Sequence, residues 1–390
     1  MLDFNNTEIA FSNKSDLQLK KAFRLFKLMS KGWLIKLGTP FLKLALTLNL
    51  PVEGIIKSTI FEHFCGGESI EDCESRIKEL GDLNVKTILD YSVEGKQREE
   101  DFDQFLGKAL ASIERSKLDA NVPFSVFKMT ALIPFDLLEK VSARKQLTDK
   151  ERMVFLRGRN RVDIICNYAS SSGIPIMIDA EQSWIQDAID EIVLIMMHRY
   201  NREKVYIYNT IQLYRHDRME YLKNLYQQSI DEGFYLGIKT VRGAYMESER
   251  ARAKRKGYPD PIQIDKEAPD RDYNAVMKFC IQNRKRIALC HGSHNEKSSY
   301  LLTEWMREKN IPNDHPMIHF SQLLGMSDHI SFNLAKEGYN VTKYVPYGPV
   351  KEVMPYLIRR AKENTSIAGQ TGRELKLITT ELERRAKASK

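Results

Sequence analysis

Eight strand-like runs, each followed by a stretch of helical periodicity, predict an α/β chain closed into a (β/α)8 barrel with an N-terminal helical extension. The strand candidates are Val85–Tyr91, Phe124–Ala131, Ile174–Ala180, Val205–Gln212, Tyr235–Val241, Arg286–His291, Met317–Phe320 and Val341–Val345. Helical stretches fall between and after them at Arg98–Leu118, Leu147–Ser170, Gln186–Tyr200, Arg218–Glu232, Asp270–Asn283, Glu296–Glu308, Ser327–Lys336 and Val350–Asn364. Such alternation marks a parallel sheet, whose strands need crossover helices. A second observation points the same way. No Gly-x-Gly-x-x-Gly follows the first strand and no Walker-type glycine loop occurs, so the doubly wound nucleotide folds lose their fingerprint.

Ahead of the first strand, residues 10–80 read as helical, broken at Cys65-Gly-Gly67. Within them Lys14–Lys43 holds eight Lys/Arg against the single acid Asp16, interleaved with Phe23, Phe26, Met29, Trp33, Leu34 and Leu37. Two readings stand: a basic amphipathic helix on an anionic membrane surface, or a helix packed on the main domain with its lysines turned outward. The opening residues include Asp3 and Glu8 and do not read as a secretory signal.

Composition bounds the function. The chain has 390 residues, 42% hydrophobic and 29% charged, as in an ordinary soluble protein. The longest apolar candidate, Ile192–Met197, is far short of the roughly 18 residues of a membrane span. A net charge of +8 favours anionic ligands, but 60 basic and 52 acidic residues are interspersed, which argues against nucleic acid. Five cysteines without a Cys-x-x-Cys pair read as reduced thiols. His291 and His294 lack a third ligand beside them, so no metal is expected.

Catalytic groups of a barrel come from the C-terminal ends of different strands. There the sequence places Asp90 and Glu94 after the first strand, Lys128 and Thr130 at the second, Asp179 and Glu181 at the third, and Gln212 at the fourth. Lys239, Arg242, Gly243 and Tyr245 come at the fifth, Ser293 and His294 after the sixth, Gln322 and Leu323 after the seventh, and Tyr344 at the eighth. The segment Lys343–Arg360 joins a strand, the turn Gly348-Pro349 and a helix whose Val350, Met354, Leu357 and Ala361 share one face. Tyr356 lies three and four residues before Arg359 and Arg360, so ring and guanidiniums can share a side suited to a small carboxylate.

No Gly-x-Ser-x-Gly elbow is present, and hydrolysis is poorly supported. Cations with the exposed backbone of Gly243-Ala244 suit a pyrophosphate. A phosphate-bearing cofactor and a carboxylate substrate follow, but spacing alone does not separate a flavin from pyridoxal phosphate.

Phe127-Lys-Met-Thr-Ala-Leu132, Met177-Ile-Asp-Ala-Glu181, Gly237-Ile-Lys-Thr-Val-Arg-Gly-Ala-Tyr-Met246, Gly292-Ser-His-Asn-Glu296, Gln322-Leu-Leu-Gly-Met326 and the segment 343–360 resemble, in order and spacing, the motifs of the proline dehydrogenase family, in its eukaryotic-type branch. The resemblance runs from about Val85 to Asn364. It implies a distorted barrel, noncovalent FAD, and oxidation of L-proline to Δ1-pyrroline-5-carboxylate by hydride transfer from C5 to flavin N5, with electrons passed to a membrane quinone. It further implies that Arg359 and Arg360 pair with the carboxylate with help from Lys128 across the site. Tyr344, Leu323, Tyr245 and Tyr356 would enclose the ring. Asp179 would lie near flavin and substrate and organise Lys128, and Glu94 would hold an arginine closed. Ala180, Gln212, Arg242, Gly243, Ala244, Ser293 and His294 match flavin-contacting positions, and Lys239 stands near N5 where many bacterial members carry arginine.

On this reading residues 1–80 form a cap or membrane-surface contact, 81–370 the FAD-binding barrel and 371–390 a C-terminal helical tail. The second catabolic step would belong to a separate pyrroline-5-carboxylate dehydrogenase. The preferred location is cytoplasmic, peripheral to the inner face of the membrane, with the mitochondrial matrix side second. Three alternatives differ in chemistry: a hydroxyproline dehydrogenase of the same family, a Schiff-base aldolase using Lys128, and a non-catalytic basic membrane module.

Overall fold

The computed structural model describes residues 2–31, 52–93, 98–265, 267–366 and 370–388. Its eight strands are parallel neighbours in chain order around a closed barrel: β1 Val85–Tyr91, β2 Phe124–Lys128, β3 Ile176–Asp179, β4 Ile207–Gln212, β5 Leu236–Val241, β6 Ile287–Gly292, β7 Ile318–Leu323 and β8 Val341–Tyr347. The predicted fold class holds. The chain divides into two compact units, residues 95–321 and a second made of residues 1–94 with 322–390.

In the unit 95–321, β2 to β6 and the start of β7 pair in sequence. Lys128 registers with Asp179, Thr210 with Lys239, Lys239 with Cys290, and Gly292 with Ser321. These strands are almost wholly buried, as parallel strands with helices over them must be. The longer helices are α2 Glu99–Leu118, α3 Asp149–Ser171, α4 Ser183–Tyr200, α5 Arg218–Asp231, α6 Met246–Lys256, α7 Ala268–Gln282 and α8 Glu296–Glu308, with a shorter one at Phe135–Ser142. Local chemistry starts several of them. Thr148 and Glu151 form a capping box on α3, and the Asn295 side chain accepts from Ser298 N on α8, each cap contributing about 1 kcal/mol.

In the other unit, β1 and β8 pair from Val85↔Val341 to Tyr91↔Tyr347. It also holds α1 Asp16–Met29, α9 Asp328–Lys336, α10 Val350–Ser366 and α11 Gln370–Ala388. Val350, Val353, Met354, Leu357 and Ala361 of α10 are buried with Met29, Ile56, Phe61, Phe64 and Met326, as the apolar spacing requires. Gly348 opens this helix with φ 143°, a conformation that side chains disfavour. The basic N-terminal helix is packed: Leu19 and Phe26 are buried with Leu377 and Ile378 of α11, so these apolar groups face protein and not lipid. Trp33, Leu34, Leu37 and the rest of the predicted segment to Lys43 lie outside the described residues. Among the described residues no helix is long and apolar enough to cross a membrane.

Candidate active site

In the unit 95–321 the predicted polar residues gather at the C-terminal side of the strands. Asp179, the last residue of β3, accepts from the Lys239 ammonium of β5 at 2.6 Å. Because β4 runs between those strands, the two side chains meet only over the barrel's inner face, where alternate strands contribute to one layer. The pair is nearly closed to water, with side chains 7% and 14% exposed for Lys239 and Asp179. Lys128, the expected partner of this carboxylate, sits beside Asp179 in register.

Gln212 ends β4 and is buried. Its Nε2 donates to Glu181 O at 2.6 Å and to Tyr214 Oη at 2.8 Å, whereas its Oε1 has no hydrogen-bond partner. A buried amide oxygen left this way costs free energy unless a donor arrives. Ala180 follows Asp179 and is buried too. Burial pushes the Tyr214 phenol well up, so it remains a neutral hydroxyl.

Arg242 follows β5 and is held on every side. It donates from Nε to Asp270 at 2.7 Å, from Nη1 to the Ser293 hydroxyl at 2.8 Å and from Nη2 to the Ser298 hydroxyl at 2.6 Å. The Tyr273 ring lies beneath it, 3.6 Å from centroid to guanidinium carbon. Gly243 and Ala244 come next, and Tyr245 caps α6. Ser293 also accepts from Asn295 N at 3.1 Å, which turns the loop bearing His294. His291 is instead internal: Nδ1 meets Tyr273 Oη at 2.9 Å and Nε2 meets Ser299 Oγ at 3.1 Å. Burial, and secondarily Arg242, hold its pKa well below the usual range. It is a neutral linker. Burial likewise raises the Cys290 thiol to about 12, too high for a thiolate nucleophile.

The unit of residues 1–94 and 322–390 carries the other predicted residues. Tyr344 of β8 is buried, and Leu323 is half-buried against the cluster that includes Tyr356. Arg359 and Arg360 are half-buried, and the Arg360 guanidinium lies 5.4 Å from the Tyr356 ring centroid. These are not the fully solvated arginines of a plain surface helix. Glu94 lies outside the described residues.

Three supports were not legible in the sequence as site features. Glu249, fully buried on α6, accepts from Ser183 N and Oγ, both at 2.6 Å. Asp270 fixes Arg242 from 28 residues away. Glu181 was noted as a strand-end acid, but its grip on Thr130 N and Oγ1, at 3.0 and 2.7 Å, was not foreseen. Each bridges distant loops, and local spacing carries no trace of such pairing. Among the described residues no group of three or more His, Cys, Asp or Glu is placed to hold a metal ion.

The donor set fits a flavin nucleotide. Lys239, Arg242, Ser293 and His294 offer donors for anionic and carbonyl oxygens, and Gln212 Oε1 is a buried acceptor awaiting an N–H.

The proline dehydrogenase family matches residues 73–373. Over 98% of its length the chain is 33% identical to proline dehydrogenase 1, mitochondrial, of Dictyostelium discoideum, covering 75% of that protein. It is 29% identical to a hydroxyproline dehydrogenase of Xenopus laevis, over 96% of this chain and 88% of that protein. Its fold is similar to a solved structure of proline utilization A from Bdellovibrio bacteriovorus, at a TM-score of 0.71 and 22% identity. That match covers 92% of this chain and 38% of the larger one.

Proposed function

The chain belongs to the proline dehydrogenase family, and from that premise we propose that it oxidises L-proline to Δ1-pyrroline-5-carboxylate with noncovalent FAD as oxidant. The observation that carries this reading is the buried Asp179–Lys239 pair gathered with a Gln212 amide oxygen that has no protein donor. Bound FAD would supply a two-electron acceptor for the hydride leaving C5 of the substrate.

Ala180, Gln212, Arg242, Gly243, Ala244, Ser293 and His294 would hold the cofactor, with Asp270 and Tyr273 fixing Arg242 and Arg242 orienting the Ser293 hydroxyl. Lys239 would supply a positive charge to the bound flavin. It keeps the positive charge of an arginine but lacks the planar fork, and Asp179 fixes its direction instead. Arg359 and Arg360 bind the substrate carboxylate, while Tyr344, Leu323 and Tyr356 pack on its ring. The protein supplies orientation and exclusion of water. The electrons pass on to a membrane quinone, and a separate dehydrogenase consumes the product. The mitochondrial name of the Dictyostelium relative supports a mitochondrial location as the second choice beside the inner face of a cytoplasmic membrane.

The similarity to a hydroxyproline dehydrogenase favours a second reading, in which a 4-hydroxylated ring is preferred. Tyr344, bulky and buried, argues for the unsubstituted ring, and kcat/KM for the two substrates decides between them. The cofactor has its own test. Denaturing the purified protein should release all of its flavin as FAD into the supernatant; flavin that stays attached to the denatured chain would overturn the noncovalent assignment.

A further inference from the structure

The turn after β7 is tied down at every residue from Leu323 to Asp328. Lys343, fully buried on β8, donates from Nζ to Met326 O at 2.5 Å and to Leu323 O at 3.4 Å, and forms an ion pair with Asp328 at 2.8 Å. Leu324 N donates to Tyr344 O at 2.9 Å. The His63 ring nitrogen meets Gly325 O at 2.8 Å, and Glu374 of α11 accepts from Ser327 N at 2.6 Å. The backbone here needs such restraint. Gly325 has φ 75°, and Ser327 holds φ 52°, a left-handed conformation that costs a residue with a side chain free energy.

Burial of Lys343 is costly by itself. A desolvated ammonium is tolerated only with a paired charge and acceptors for its protons, which Asp328 and two carbonyls supply. Burial opposes ionisation of Asp328 as well, yet Lys343, together with the more distant Lys14, holds its carboxyl down at about 2. A packed hydrophobic pair would serve stability at least as well. What the charged arrangement provides is geometric definition: one ammonium sets the distance between β8 and both ends of a strained turn.

Successive residues on a strand face opposite ways, so the tether sits behind the strand that presents Tyr344. The turn's first residue is Leu323. On the functional reading above, Leu323 and Tyr344 pack on the substrate ring. We propose that Lys343, with Asp328 as counter-ion, is a positioning residue for substrate specificity, which fixes the spacing of Leu323 and Tyr344 and so the fit of the five-membered ring. His63 and Glu374 extend this control to the segments flanking the barrel strands, since each holds the same turn from a different part of the chain.

The test uses the full-length, flavin-loaded protein carrying Lys343→Met with Asp328→Asn, which removes both charges of the pair together. The expected result is a KM for L-proline raised at least tenfold, with kcat and flavin content within about twofold of the parent. The preference for proline over 4-hydroxyproline should fall in parallel. Unchanged KM and preference in the folded, loaded double variant overturn the proposal, as does a loss of flavin and kcat with KM intact, which marks a merely structural tether. Should the double variant not fold, Glu374→Met releases Ser327 N while keeping the Lys343–Asp328 pair; it should raise KM about threefold at constant kcat, and an unchanged KM again overturns the proposal. A parent protein that binds flavin but oxidises neither substrate defeats the functional reading instead, before any variant is compared.

Discussion

Arg359→Met and Arg360→Met, each made alone, are expected to lower kcat/KM for L-proline by roughly 2–5 kcal/mol while the flavin stays bound. The size follows from the setting of these side chains. An exposed ion pair contributes only about 0–1 kcal/mol, because water screens it and two long side chains must be ordered. Here the helix that bears both arginines is pinned by Val350, Val353, Met354 and Leu357 in an apolar cluster, both arginines are half-buried, and Arg360 lies over Tyr356. Much of the ordering is therefore done before substrate arrives. A charge-assisted, bidentate grip on the carboxylate then acts from a prepared geometry. Lysine at either position should recover part of the loss, since it keeps the charge without the fork. Pyrrolidine, which has no carboxylate, should be an almost equally poor substrate for parent and variants. If both Met variants oxidise proline within about threefold of the parent, a difference under roughly 1 kcal/mol, the carboxylate is held elsewhere.

Asp179→Ala should destabilise the protein by about 3–5 kcal/mol and alter the flavin spectrum, because it removes the 2.6 Å partner of an ammonium that is 7% exposed. Asp179→Asn separates charge from shape. It retains an acceptor for Lys239 but not the countercharge, so its penalty should be intermediate. Adding Lys239→Met to Asp179→Ala should restore part of the stability, because no buried charge then remains from the pair, whereas turnover should stay low. Denaturant midpoints and flavin spectra of the parent, Asp179→Ala, Lys239→Met alone and the double variant complete a double-mutant cycle. Additive effects would show that the two side chains act independently.

How far the sequence could be read depended on whether the determinants were local. Val85–Tyr91 and Glu296–Glu308 appear in the structure with the boundaries that their patterns predict. For the helix the reason is an Asn295 cap immediately before it. The second strand was expected to reach Ala131 but ends at Lys128, because Thr130 N turns away to the Glu181 carboxylate. The helix expected from Gln186 begins at Ser183, whose backbone and hydroxyl are captured by Glu249 from 66 residues away. No window along the chain contains that cap. The basic segment from Lys14 illustrates a different limit: its amphipathic pattern fits a lipid surface or a protein surface, and only the folded chain shows Leu19 and Phe26 packed against Leu377 and Ile378.

The same division holds for the candidate site. Strand-end positions of Asp179 and Gln212 were legible because barrel topology dictates where functional groups lie, whereas Tyr344, expected at the end of its strand, lies in the middle of β8, which continues to Tyr347, and Lys239 lies within β5. Which carboxylate meets which cation was not. Asp179 and Lys239 come from strands separated by a third, and their meeting depends on register and on both facing inward. Lys343 was similarly opaque. In the sequence it is one lysine at the start of a motif, and only the folded turn shows it neutralised by Asp328 and surrounded by the carbonyls of Leu323 and Met326.

The most direct test of the account is to mix the purified protein with L-proline in the absence of oxygen and follow its visible absorption. The account predicts a yellow protein whose flavin band is bleached by L-proline in a single stoichiometric reduction and returns when a quinone analogue is added. A chain that takes up no flavin, or one whose flavin stays oxidised at saturating L-proline and 4-hydroxyproline, would contradict it.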